Sequence, residues 1–136
     1  MKLRGAIYGI FMAVIVSFLT IGCQKAPING NLDGFWQVMS VSPQPEDPEI
    51  DLRAYYGFYM HVCSLTFYDF DFMKGNMRFD GDTLWMEFPL VENEWQTRVL
   101  RQFGIYTNPV LFNVEYLDKN KMILKDGDVT VTLRKF

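Results

Sequence analysis

The stretch PVLFNVEYLDKNKMILKDGDVTVTLRKF, Pro109 to Phe136, decides the fold. It holds three short runs, Pro109 to Leu117, Lys121 to Lys125 and Val129 to Phe136. Asp118-Lys119-Asn120 separates the first two, and Asp126-Gly127 turns the chain into the third. Asp-Gly between β-rich runs is a strong hairpin cue, because its glycine accepts the positive φ of a tight turn. Short strands joined by close turns predict an antiparallel meander.

The same grammar extends toward the amino terminus. Asn76 to Asp80 and Thr83 to Phe88 flank Gly81, a second Asp-Gly turn. Phe35 to Val41 reads as an earlier strand. Tyr55 to Phe72 is long and aromatic, and reads as two strands or one strand bent at Gly57. Ser42 to Asp51 carries Pro43, Pro45 and Pro48 among acids, which excludes a regular element and predicts a surface loop. One segment breaks the pattern. Asn93 and Gln96 are spaced as a capping box, Trp95, Val99 and Phe103 recur every four residues, and Gly104 suits a helix end, so one short helix is expected over Glu94 to Phe103.

About eight strands are enough to close an all-β, up-and-down barrel, which leaves no sheet edge exposed. A barrel of this size is either filled by its own side chains or holds one small ligand. Leu84, Met86 and Phe88 share one strand face, and Val110, Phe112, Val114 and Tyr116 share another. These rows are the expected interior, and Leu84, Met86, Phe88, Phe112, Val114 and Tyr116 are the candidate ligand wall. Trp85, Leu111 and Leu117 fall on the opposite rows, where the helix, loops or another protein would cover them. In the last strand, hydrophobicity turns Val129, Val131 and Leu133 inward and leaves Thr130, Thr132, Arg134 and Phe136 outside; the opposite orientation would make Arg134 a buried cation ready for a carboxylate or phosphate.

The amino terminus is of another kind. Lys2 and Arg4 precede an apolar run, Ile7 to Leu19, that is marginal for a membrane span and has the layout of an export signal. It ends in Thr20-Ile21-Gly22-Cys23, which resembles a bacterial lipobox, with Thr20 where leucine is usual. The resemblance implies cleavage before Cys23 and acylation on it, against the alternatives of an ordinary secretory signal or an uncleaved anchor. Two or more acyl chains give stable anchoring. Gln24 after the cysteine favours the outer membrane of the bacterial envelope. The expected layout is a signal over residues 1–22, a tether over 23–31 and one barrel domain over 32–136. Loss of Lys2 and Arg4 moves the net charge from −3 to about −5, which argues against a nucleic-acid partner.

The first and last strands carry a second resemblance. Leu32-Asp33-Gly34-Phe35-Trp36-Gln37-Val38 is similar to the Gly-x-Trp opening of lipocalins, and Val131 to Phe136 to the closing strand that sets an arginine near that tryptophan. The resemblance implies a lipocalin-like barrel in which Arg134 lies over the indole of Trp36. The chain is shorter than a true lipocalin and lacks the long helix that follows the barrel. A small, partly apolar ligand is the partner this fold implies; an envelope protein docked on a filled barrel is the alternative.

Catalytic signals are weak. His61 and Cys63, two apart in an expected strand, would share a face, but no further histidine or thiol completes a zinc site. Asp69 and Asp71 read as the wet face of a strand rather than a glycosidase pair. The tripeptides Asp80-Gly81-Asp82 and Asp126-Gly127-Asp128 offer too few oxygens for calcium and read as turns. No catalytic residue, metal or cofactor is expected.

Overall fold

The structure, a computed structural model, describes residues 28–45, 53–68 and 70–136. Eight antiparallel strands form a closed barrel in simple sequence order: β1 (Gly34–Ser42), β2 (Ala54–Tyr59), β3 (Val62–Phe67), β4 (Phe70–Phe79), β5 (Thr83–Glu87), β6 (Val110–Leu117), β7 (Lys121–Asp126) and β8 (Val129–Lys135). One helix, α1 (Glu94–Gln102), lies between β5 and β6, and a 3-10 turn, Gly30–Leu32, precedes β1. Each strand pairs with its sequence neighbour, and β1 pairs with β8 to close the ring. All strands are therefore hydrogen-bonded on both sides, so the sheet has no edge to protect.

Tight connections put alternate strand ends together. One end of the barrel carries the start of β1, the β2–β3, β4–β5 and β6–β7 turns, and Phe136. The other end carries α1, the β3–β4 and β7–β8 turns and the exit of β1. Burial follows the period of two along most strands: β3 buries Cys63, Leu65 and Phe67, and β8 buries Val131 and Leu133. Register shifts reset the period in three places. One in β1 turns Met39 outward and brings Val41 back in. Another in β4 falls at Phe72. The third, in β6, follows Val114.

The two Asp-Gly turns are present, with Gly81 and Gly127 at φ 102° and 57°. The long aromatic stretch divides elsewhere than at Gly57. The β2–β3 hairpin turns at Met60-His61, with Met60 at φ 55°. Gly57 stays inside β2 because the Phe35 ring and the Ser64 hydroxyl crowd the space that a Cβ would fill.

Candidate functional site

The interior wall forms largely as the rows imply. Leu84, Met86, Phe88, Val110 and Phe112 are fully buried, and Val114 is half-buried. Tyr116 is the exception. After Val114 the register with β7 slips by one residue, so Tyr116 pairs with Ile123 and Leu117 with the inward Met122. A bulge reverses every later side chain. Tyr116 accordingly points to solvent and donates its hydroxyl to Asp118 at 2.6 Å. Leu117, expected outside, packs against the core instead.

The amino-terminal end is closed by Leu32 and Trp36, both fully buried. The indole N–H of Trp36 donates to the Leu32 carbonyl at 2.8 Å. A cation does sit over the indole, 4.5 Å from its centre, but it is Lys135 rather than Arg134. Strand parity explains the correction. Lys135 shares its face with Leu133 and lies opposite Trp36 in the β1–β8 ladder, whereas Arg134 lies opposite Gln37 and faces out. Its guanidinium donates to the Gln37 side-chain oxygen at 2.7 Å. The Lys135 ammonium donates to the backbone carbonyls of Asn31 and Asp33. Its pKa is lowered by partial burial, with the Asp33 carboxylate acting the other way. Of the expected tether, residues 28–31 form a turn and the start of the 3-10 helix, pinned by an Asn29 amide hydrogen bond of 2.9 Å to the Met60 carbonyl.

The opposite end is capped by α1. Asn93 caps the helix as its spacing implies: its side chain accepts from the Gln96 amide at 2.8 Å, and the Gln96 side chain accepts in return from the Asn93 amide. Val99, Leu100 and Phe103 are buried; Trp95, in the same row, stays half-exposed, edge-on to Phe72. Phe103 meets the rings of Tyr56 and Phe67, and the Tyr56 hydroxyl donates to the Phe103 carbonyl at 2.6 Å. Burial raises the Tyr56 pKa well above the ordinary phenol range, with a smaller push from Cys63, so the hydroxyl stays a donor. Gly104 follows at φ 80°, and a Cβ there would collide with Val131. The Asn108 amide brackets Phe88, accepting from its N–H at 2.9 Å and donating to its carbonyl at 2.8 Å. That contact gathers both ends of the helical excursion at one point.

The remaining polar candidates do not converge. His61 stands exposed in the β2–β3 turn, outside the strand, while Cys63 points into the core. The turn breaks the alternation that would have put them on one face. Burial pushes the Cys63 thiol up to about 12, so it is held as a thiol and not as a nucleophilic thiolate. Asp71 is exposed on β4, and Asp69 lies outside the described residues. Asp80 accepts from the Asp82 and Thr83 amides and the Thr83 hydroxyl, a closed turn that lowers its pKa. Among the described residues no group of three or more His, Cys, Asp or Glu side chains is placed to hold a metal ion. Cys23 and the lipobox-like segment also fall outside the described residues.

Two solved structures share this architecture. A lipocalin-like protein from Bacteroides uniformis is 20% identical, with a TM-score of 0.62 over 79% of this chain and 100% of its own. An uncharacterized protein from Bacteroides eggerthii is 18% identical, with a TM-score of 0.55 over 77% of this chain and 99% of its own. A search of curated proteins found no match. The family model of the lipocalin-like domain matches residues 16–136, and with it the chain belongs to the lipocalin-like domain family.

Proposed function

We propose that this is a non-catalytic binding lipoprotein of the bacterial envelope, anchored through acyl chains on Cys23, and that its barrel takes a small, partly apolar ligand beneath α1. One observation carries the reading. The row of Leu84, Met86, Phe88 and Phe112 lines an apolar interior whose roof is a separate nine-residue helix rather than a strand. Met73, Met77, Met86 and Met122 give that interior pliable walls. The signal layout and lipobox resemblance supply the anchor and favour the outer membrane.

The test is extraction of the full processed protein from membranes, followed by organic extraction and mass spectrometry of whatever accompanies it. A stoichiometric small amphiphile that also protects the α1 amides from hydrogen exchange is the expected result. A protein that carries nothing and gains no protection from added fatty acids overturns the ligand. The second reading is a docking lipoprotein. It is favoured by the outer row in which Arg78 lies over the Trp85 ring at 5.4 Å beside the exposed Leu111. Co-purification of an envelope protein that Leu111→Asp releases would support it.

A further inference from the structure

Exposed apolar side chains gather where the chain enters the barrel. Ile28, Phe35, Tyr59, Met60, Val62 and Phe136 are all exposed, Tyr59 at 70% and Phe136 at 79%. They are contiguous. Tyr59 and Val62 pair across the β2–β3 hairpin, Phe35 lies over Gly57, and the Phe136 amide donates to the Phe35 carbonyl at 2.9 Å. Asn29 ties the segment after Ile28 to Met60. Patches of this kind mark contact surfaces.

We infer that this rim, formed by β1, β2, β3 and the carboxyl terminus, rests on the lipid surface to which Cys23 tethers the domain. The inference rests on the proposed acylation of Cys23. Chain length selects the occupant. Cys23 and Ile28 are five residues apart, so the tether reaches at most about 18 Å. A strand as long as β1, tilted as barrel strands are, makes the barrel about 23 Å tall. With the helix end down, Ile28 would stand farther from the membrane than the tether can stretch, before the thickness of α1 is added. The apolar cluster at that end, with Leu90 and Trp95, is therefore out of reach, while the amino-terminal rim is held against the headgroups. Aromatic and aliphatic side chains suit that boundary. The other half of the same rim carries Asp80, Asp82 and Asp118 in the β4–β5 and β6–β7 turns. Lys119 and Lys121 share that half, and charged side chains of either sign resist losing their water at the lipid boundary, so the barrel stands tilted onto its β1–β3 side.

The experiment uses the full chain, processed in cells, with Tyr59→Cys or Leu90→Cys labelled by an environment-sensitive nitrobenzoxadiazole dye and reconstituted on phosphatidylcholine vesicles. Cys63 is buried and stays unlabelled. Emission from position 59 should shift to the blue and be quenched by spin-labelled lipid, while position 90 keeps its aqueous spectrum. Mass spectrometry of the same samples reads the anchor. Acyl mass on Cys23 with aqueous emission at position 59, or with equal shifts at both positions, overturns the resting face and leaves the anchor standing. No acyl mass overturns the anchor, and the inference falls with it.

Discussion

The two ends of the barrel are closed by different means. At the amino-terminal end the plug is continuous with β1: Leu32 and Trp36 sit two residues to either side of Gly34, where β1 begins, and Lys135 of β8 covers the indole. Opening this end means unpairing β1 from β8, the contact that makes the sheet a barrel. At the other end the roof is an inserted helix, held by Val99, Leu100 and Phe103, by the Tyr56 hydroxyl, and by the Asn108 bracket at its base. It can lift without breaking a strand ladder. Local opening draws on such weakly coupled units, so the proposed ligand would enter at the helix end, away from the proposed anchor.

The strongest way to break this contrast is Trp36→Ala. Removing a fully buried tryptophan costs about 3–5 kcal/mol. Because the plug belongs to the β1–β8 seam, the loss should appear as a lower urea midpoint reported alike by strands and helix. If the helix melted separately while the barrel held, the amino-terminal plug would not be global and the contrast would fail.

Gly104→Ala probes the roof. The residue sits at φ 80°, and the added methyl meets Val131, so the helix end must shift. Overpacking of this kind costs roughly 1–3 kcal/mol. Hydrogen exchange should quicken first at the amides of α1, with β1, β2 and β8 changed little. Uniform acceleration along the strands would show that roof and barrel open as one unit.

Turn chemistry and periodicity made much of this fold legible. The Asp-Gly pairs, the Asn93–Gln96 box and the alternation in β5, β6 and β8 all mark elements that form. What escaped depends on events with no residue signature. Of the two readings of the aromatic stretch, two strands form rather than one bent at Gly57; the Met60-His61 turn between them lacks glycine, asparagine and aspartate to mark it, and the smallness of Gly57 serves the Phe35 ring instead. The slip after Val114 turns Tyr116 out of the expected wall, and nothing in Val-Glu-Tyr announces it. The helix was visible, but not its role as a roof, since Phe103 meets Tyr56 across 47 residues of sequence.

Lys135 shows how one residue of parity can decide a site. The alternation that sends Val131 and Leu133 inward sends Lys135 inward as well, and Arg134 out. A resemblance that asked for arginine pointed to the neighbour of the residue in contact. The smallest predicted effect separates the two. Lys135→Ala removes a cation from the indole face and should cost about 0.5–1 kcal/mol, the range for a partly exposed cation–π contact. Arg134→Ala removes an exposed hydrogen bond to Gln37 and should cost less. Urea titrations in a common buffer give the difference, and added salt should leave the Lys135 loss largely in place because its partners are a ring and two backbone carbonyls. If Arg134→Ala were the costlier change, the closing contact would lie on the outer face, and the amino-terminal end would be sealed by its surface rather than by its plug.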